Sequence, residues 1–384
     1  MLLAYITRRL VYGLVTLLAL SMIVFSLLQA SGGGPLDRLR LNPRMQPVIE
    51  LLTKQWGLDQ PVWKQYVTWL KNYVTPSELS FENALPLLAI VVAAGASIAV
   101  AKLMKSHWKG ALILLVWALA VFVIFSNMTL KFNWGISFQG AGDVWDLVFG
   151  RVGATFRLGF SALFLALMIG VPLGIYQAIR QYSFFDQLGT TVAFVAFSTP
   201  IFIVGVGLQL ILALYFEKWT GVKLFYVTGM NSPHYGEMTL FQQIGDTLQH
   251  LTLPAISIAL ISLAGYSRFQ RASMLEVLHS DYLRTAKAKG LPRSRVIVKH
   301  ALRNALIPVV TLISLDIAFM IGGAIITETI FGWPGVGRLY ITAIGTIDYP
   351  LVMAIVMIIG IGIVIMNVVA DILYGVMDPR VRYE

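Results

Sequence analysis

The sequence predicts an all-α polytopic membrane protein with about eight transmembrane helices. Hydrophobic residues make up 57% of the 384 residues, charged residues make up only 12%, and the mean hydropathy is +0.76. A soluble domain carries roughly 25% charged residues, so this chain cannot cover its surface against water and must face lipid. The apolar residues are also grouped into stretches of about 20, which is the length that crosses a bilayer.

The first predicted span follows Arg8 and Arg9, and its apolar core is longer than the roughly 7–15 residues of a signal peptide. We therefore expect an uncleaved anchor whose N-terminus is cytoplasmic. The sixth span is the shortest and is expected to continue as a helix into the basic segment that follows it. The eight spans lie near residues 10–29, 84–103, 110–128, 155–179, 188–215, 251–267, 305–329 and 350–376.

The distribution of basic residues supports this topology. With the N-terminus inside, 17 of the 29 Lys and Arg residues fall in cytoplasmic segments. Six of the remaining 12 lie in the long loop of residues 30–83, and long loops weigh less in the positive-inside rule. Both termini are therefore predicted to be cytoplasmic. The net charge of +10 indicates topology and contact with anionic membrane lipids, with no nucleic acid as a partner.

Residues 268–304, which we name the basic insert, contain nine Lys and Arg residues between two apolar spans. Ser280 can cap a helix that begins at Asp281, whose carboxylate suits the positive end of the helix dipole. Lys287 and Lys289 suit the negative end, and Gly290 suits the left-handed position that ends a helix. The insert is thus predicted to contain a short helix. The alternative is a topological anchor whose cations only touch lipid headgroups.

A second helix is predicted to start near Ser294. Its apolar residues recur at spacings of three and four, which is typical of one buried helix face. These residues are Val298, Ala301, Leu302 and Ala305.

Motifs for chemistry within the chain are absent. There is no phosphate-binding G-x-x-x-x-G-K-[ST] loop, no H-E-x-x-H and no G-x-S-x-G, and the five histidines are scattered. The chain has no cysteine, which excludes disulfides and thiolate chemistry. We expect no catalytic residue, no metal and no cofactor in this chain.

Two acids inside the seventh predicted span, Asp316 and Glu328, are candidates for the translocation pathway, because an ionisable residue in a membrane is costly. For Asp316 the alternative is a polar contact between two helices. The two acids are 12 residues apart, about 18 Å along one helix, which is too far for a catalytic pair.

The basic insert resembles the cytoplasmic signature loop of bacterial ATP-binding-cassette (ABC) importer permeases of the dipeptide/oligopeptide/nickel branch. That loop reads E-A-A, three residues, then Gly. Here Arg284, Thr285 and Ala286 are followed by Gly290, so the Glu is missing. Seven further segments also resemble the sequences of this branch. They are YITRRLVYGLVTLLALSMIVFSLL at 5–28, GLDQP at 57–61, GVPLGI at 170–175, RASMLEVLHSDYLRTAKAKG at 271–290, HALRNALIP at 300–308, ETIFGWPGVGRL at 328–339 and DILYGVMDPRVR at 371–382.

Two features depart from the branch. The turn after the first span is ASGGGP at 30–35 where the branch has an A-P-G-D-P-like turn. The usual permease has six spans, whereas about 60 residues here separate LKN from NWGISF. The predicted organisation is therefore an N-terminal anchor span and extracytoplasmic loop (1–72), an inserted transmembrane hairpin (73–132) and a core permease domain (133–384).

The resemblance implies a permease subunit that pairs with a homologous permease, with two ATP-binding subunits that hold ATP and Mg, and with an extracytoplasmic substrate-binding protein. The basic insert would be the coupling helix that docks on an ATP-binding subunit. The residues implied in coupling are Glu276, Asp281, Tyr282, Arg284, Thr285, Ala286, Lys287, Ala288, Lys289 and Gly290.

Peptides are the substrate class that the resemblance implies, with nickel complexes, glutathione and sugars as alternatives within the family. A secondary transporter driven by an ion gradient remains open, because Asp316 could serve as its ion site. An intramembrane hydrolase would need a paired motif that this sequence lacks.

Overall fold

The structure is a computed structural model that describes residues 2–30, 46–56, 59–81, 92–94, 97, 128–137, 142–320 and 322–377. The elements, in chain order, are α1 (Leu2–Ala30), α2 (Gln46–Trp56), α3 (Val62–Val74), β1 (Pro76–Phe81), β2 (Met128–Phe132), α4 (Val144–Ile179), α5 (Phe184–Ser198), α6 (Ile201–Thr220), α7 (Leu240–Leu278), α8 (Asp281–Ala288), α9 (Arg293–Ala305), α10 (Ile307–Met320), α11 (Ile325–Ile330), α12 (Val336–Gly345) and α13 (Tyr349–Met377). The middle of α6 (Gln209–Tyr215) and of α9 (Val296–Ala301) is π-helical.

The chain divides into two compact units, one formed by Met1–Pro35, Ser137–Gly140 and Asp146–Glu384 and the other by Leu36–Ile136 and Ala141–Trp145. Within the described residues, five helices are long and apolar enough to cross a membrane, and a sixth span results if the bent pair of α9 and α10 is counted as one. The second and third predicted spans fall largely outside the described residues. The total of eight therefore stays a prediction.

The first and last predicted spans are confirmed as the helices α1 and α13, which pack together. A Cβ on Gly13 would lie 2.3 Å from a methyl group of Val364, so the absence of a side chain allows this close approach. At one end of the pair the Arg9 guanidinium lies 3.1 Å from the Asp371 carboxylate. The polar termini of the two helices are thereby paired on the same side.

The fifth predicted span, 188–215, is wrong as a single helix. α5 begins at the N-cap Ser183, whose hydroxyl accepts a hydrogen bond of 3.3 Å from the Asp186 amide, and it ends at Ser198. Thr199 and Pro200 are extended, since the proline ring disfavours a helical conformation in the residue before it. The polypeptide resumes as the separate helix α6.

The seventh predicted span, 305–329, is also wrong in its extent. α10 ends at Met320, and Gly323 adopts a left-handed conformation with φ of +76°. The chain then folds into two shorter helices, α11 and α12, before α13 begins. Asp316 and Glu328 consequently lie on different helices, and their separation cannot be estimated along one helix axis.

The second unit contains a feature that an all-α prediction omits, an antiparallel pair of strands. β1 pairs with β2 from Pro76 opposite Phe132 to Phe81 opposite Met128. The Tyr73 ring stacks on Trp134 with centroids 4.7 Å apart, and the Trp134 indole N–H donates to the Tyr73 carbonyl at 3.2 Å. The two chain segments that flank residues 82–127 are thus held side by side.

Candidate functional site

The basic insert folds as α8 and α9 on the end of α7, and α8 is anchored by one apolar stripe. Leu283 is fully buried, and Ala286, three residues further on, packs against the same core cluster. That cluster also contains Met274 of α7 and Val296 and Ala301 of α9. Burial of these residues fixes α8 to its two neighbouring helices.

A polar contact adds to this anchor. The Tyr282 hydroxyl accepts a hydrogen bond of 2.8 Å from the Asn304 side-chain amide near the end of α9. The bond connects the first turn of α8 to the last turn of α9. Among the predicted coupling residues, Tyr282 and Ala286 thus contribute to holding α8 in place.

The opposite stripe of α8 is exposed. Its members recur at spacings of three and four residues, which places them on one helix face. The Arg284 guanidinium lies 3.9 Å from the Asp281 carboxylate, and both side chains are almost fully in solvent, so this ion pair contributes little stability. The exposed residues are Asp281, Arg284, Thr285, Ala288 and Lys289, with the 44% exposed Tyr282 beside them; Glu276 of α7 is also exposed, and the side chain of Lys287 lies outside the described residues.

α8 begins and ends where the sequence predicts, but the Ser280 side chain forms a different hydrogen bond from the predicted one. The Ser280 carbonyl accepts hydrogen bonds from the amides of Leu283 and Arg284, at 3.2 and 3.3 Å. Its hydroxyl donates back to the Val277 carbonyl at 2.6 Å, so the predicted capping by this side chain is replaced by a bond to the preceding helix. At the other end Gly290 has the predicted left-handed conformation, with φ of +76°.

The second helix of the insert starts at Arg293, one residue before the prediction. Ala301 and Ala305 are buried as predicted, but Val298 is 64% exposed, so its assignment to the buried face is wrong. The cause is the π-helical stretch Val296–Ala301, which holds more residues in each turn than an α-helix and breaks the spacing of three and four. Val296 takes the inward position instead.

An ion pair that the sequence did not reveal joins the C-terminal part of α7 to α5. The Arg271 Nε and Nη2 atoms donate to the two oxygens of the Asp186 carboxylate at 2.8 and 2.9 Å. The same carboxylate accepts from the Tyr182 amide at 2.9 Å. The Ser267 hydroxyl bonds to the Gln177 side chain at 2.8 Å, next to this pair. These residues are far apart in the chain, so only covariation among relatives could have signalled the contacts.

Asp316 lies on α10 and is partly buried. The Tyr266 hydroxyl, from the buried side of α7, donates a short hydrogen bond to its carboxylate. Asp316 is therefore joined to a neighbouring helix and also keeps some exposure. Both readings of this residue, as a pathway residue and as a contact between helices, are compatible with that position.

Glu328 is fully buried. Its carboxylate accepts hydrogen bonds of 2.9 Å from the Thr155 hydroxyl and 2.8 Å from the Arg338 amide. A Cβ on Gly335 would lie 2.3 Å from this carboxyl group, so the segment of residues 328–339 closes tightly around it. The structure places Glu328 in the interior as an anchor for the turn between α11 and α12.

The described structure is thus that of a polytopic helical membrane protein with a small, partly exposed helix carried beyond one of its long helices. The family model for the inner membrane component of binding-protein-dependent transport systems matches residues 170–383. The family model for the N-terminal part of the membrane component of these systems matches residues 2–92. The chain belongs to this family and is a permease subunit of an ABC importer. Membership separates it from the secondary transporters, the alternative that the sequence left open.

Relatives match over most of their length. The chain is 32% identical to an oligopeptide transport system permease protein of Bacillus subtilis over 99% of both chains. It is 33% identical to an oligopeptide transport system permease protein of Mycobacterium bovis over 98% of both. The dipeptide transport system permease protein of Escherichia coli is 40% identical over 260 residues, which are 65% of this chain and 77% of that protein. Alignments over 98% and 99% of the chain span residues 73–132, so that segment is not peculiar to this protein, and its folding as a hairpin stays a prediction.

Proposed function

We propose that this permease subunit transports di- and oligopeptides, and that it forms the pathway together with a homologous permease. An extracytoplasmic binding protein delivers the peptide, and two ATP-binding subunits hold the ATP and Mg that drive the transport cycle. The full-length similarity to permeases that carry peptide-transport names supports the substrate class. The missing phosphate-binding loop is in keeping with an ATP site on other subunits.

We propose that the exposed stripe of α8 is the docking site for an ATP-binding subunit. α8 is fixed by the buried Leu283 on its inner side and by the exposed bond between Tyr282 and Asn304, while its outer side is open to a partner. A helix held in this way can transmit a displacement to α7 and α9, because its anchor is packed rather than mobile. With α8 on the cytoplasmic side, both termini are cytoplasmic as well.

Two single-cysteine variants test docking and orientation together, since the chain has no native cysteine. Ala288→Cys lies on the exposed stripe of α8, and Thr220→Cys, the matched control, lies exposed at the end of α6. We expect Ala288→Cys to crosslink to an ATP-binding subunit and to resist an impermeant thiol reagent in intact cells. Thr220→Cys should show the reverse, and labelling of Ala288→Cys from outside would overturn the orientation.

The transport activity itself is measured in liposomes that contain the complete complex. We expect uptake of labelled di- and oligopeptides that requires ATP in the liposome lumen, where the ATP-binding subunits dock, and the binding protein outside. Uptake that responds to an ion gradient without ATP, or ATP-driven uptake of nickel complexes, glutathione or sugars with none for peptides, would contradict the proposal.

A further inference from the structure

A cavity of about 600 Å³ lies beside the basic insert and is separate from the exposed stripe of α8. Three segments enclose it: the turn between α4 and α5, the end of α7, and the start of α9. Its floor is apolar and includes Ile179, Leu275 and Val296. Its polar lining includes Arg180, His279 and Arg293. The cavity thus combines an apolar floor with a cationic lining.

The cationic side chains of this cavity carry uncompensated charge. None of the residues that line it is acidic. Neither Arg180 nor Arg293 forms an ion pair in the part of the chain that the structure describes, and both are exposed. Of the carboxylates that follow lining residues closely in the chain, that of Asp186 is bound by Arg271, and Glu276 and Asp281 are exposed outside the lining. An anion that enters the cavity would meet two guanidinium groups without a competing acid.

The wall that carries Arg180 is held in place. The Tyr182 amide and the Arg271 side chain both bind the Asp186 carboxylate, and Tyr182 is fixed with a left-handed φ of +64°. The Ser183 amide also donates to the Arg180 carbonyl at 3.1 Å. These bonds fix the backbone of the turn, so that Arg180 starts from a defined place in the lining that it shares with Arg293.

From this combination we infer that the cavity binds an anionic phospholipid of the inner leaflet. The phosphate would pair with Arg180 and Arg293, and the first part of an acyl chain would cover the apolar floor. The turn that carries Arg180 falls between two predicted spans, so we expect it at the level of the headgroups. Basic pockets at the cytoplasmic ends of membrane helices suit such lipids. The inference rests on the proposed orientation of the chain, with α8 on the cytoplasmic side.

The site has a consequence for the basic insert. Leu275 and Val296 belong both to the cavity and to the core that anchors α8. A bound lipid would therefore brace α7 and α9 against the turn between α4 and α5. Anionic lipid would thus strengthen the support on which α8 rests.

The test is a titration of the purified permease complex with phosphatidylglycerol, followed by native mass spectrometry of the bound lipid. We expect Arg180→Gln/Arg293→Gln to weaken binding about 30-fold, because an arginine near an anionic lipid contributes about fivefold in affinity. Lys54→Gln/Lys218→Gln removes the same charge from exposed positions elsewhere and should leave the affinity within about twofold. Phosphatidylcholine should bind weakly to every variant.

Three outcomes would overturn the inference. The first is equal phosphatidylglycerol affinity in the cavity variant and the control variant. The second is full competition by inorganic phosphate at the same concentration, which would indicate a free-anion site. The third is loss of the ATP-binding subunits from the cavity variant with unchanged lipid binding, which would indicate a surface for a protein partner.

Discussion

Arg271 and Asp186 form a two-point ion pair in which each carboxylate oxygen faces its own guanidinium nitrogen, at 2.8 and 2.9 Å. The Asp186 side chain is 3% exposed and the Arg271 side chain is 26% exposed. The pair joins the long helix α7 to the first turn of α5, at the point where α7 continues toward the basic insert. It therefore links the membrane-embedded helices to the element that we propose to be the docking site.

Removal of one member of this pair should be costly, because the remaining charge stays buried without a partner. We expect Arg271→Gln to destabilise the protein by roughly 3–5 kcal/mol, and Asp186→Asn to destabilise it less, because Arg271 can still reach solvent. Thermal unfolding in detergent measures both. The double variant Asp186→Asn/Arg271→Gln should recover part of the loss. Strictly additive losses would show that the two side chains do not depend on each other.

Gly290→Val should leave the fold intact and impair coupling. A Cβ at this position meets no atom within 4 Å, so the cost is the left-handed backbone alone, about 1 kcal/mol. The change would, however, redirect the end of α8, and we expect loss of the ATP-binding subunits or ATP hydrolysis without uptake. Pull-down and ATP turnover distinguish these two results.

Gly221→Val is the matched control for this substitution, since Gly221 is also left-handed, with φ of +71°, and has open space around its Cβ. It ends α6, far along the chain from the basic insert. If both variants transport equally well, the turn at Gly290 has no role in coupling.

Asp316→Asn should change the preference among peptides more than the stability. The amide oxygen of asparagine can still accept the hydrogen bond from Tyr266, so the contact between α7 and α10 is preserved. If Asp316 faces the pathway, uptake of cationic peptides should fall relative to neutral ones. Uptake of several labelled peptides measures this ratio. An equal loss for all peptides, together with a lower unfolding temperature, would identify a contact between helices only.

Glu328 should behave as a structural residue. Gly335→Ala places a methyl group 2.3 Å from the carboxyl group of Glu328, which is fully buried. We expect this variant to lose thermal stability by roughly 1–3 kcal/mol while the ratio of uptake between cationic and neutral peptides stays unchanged. Gly150→Ala, where a Cβ meets no atom within 4 Å, is the control. A shift in that ratio without a loss of stability would place Glu328 in the pathway.

The proposed hairpin can be removed at a junction that the strands define. Phe81 of β1 pairs with Met128 of β2, so an Asn-Gly turn can replace residues 82–127 and close the antiparallel pair. If the hairpin is an accessory, the shortened protein should insert, assemble and retain ATP-driven uptake. A stable, correctly assembled deletion without any uptake would mean that the hairpin belongs to the pathway.

The sequence predicts helices well where an apolar stretch continues without a break, as in α1 and α13, whereas α7 begins at Leu240, before the predicted span of 251–267. The prediction fails where a local backbone event interrupts such a stretch. Thr199 and Pro200 divide one predicted span, and Gly323 ends another, although hydrophobic residues continue on both sides of each break. The spacing rule predicts Val298 on the buried face because it assumes an α-helix, and nothing in the sequence marks the π-helical stretch.

The candidate site is also predictable from the sequence only in part. Helix signals within a few residues, such as Asp281 and Gly290, predict where α8 begins and ends. The contacts that hold it, between Tyr282 and Asn304 or between Asp186 and Arg271, join residues that are 22 and 85 positions apart. Such pairs depend on the packing of whole helices, which one sequence does not encode in any local pattern.

The π-helical stretch Val296–Ala301 bears on how this part of the chain tolerates changes of length. A π-helical turn is equivalent to an α-helical turn with one residue added. Loss of a single residue from this stretch would therefore restore an α-helix and leave the segments on either side in nearly the same orientation. In a regular α-helix the same deletion would rotate everything before it by about 100° relative to α10, because one residue corresponds to that angle. This part of the chain can thus lose one residue while α8 keeps its direction.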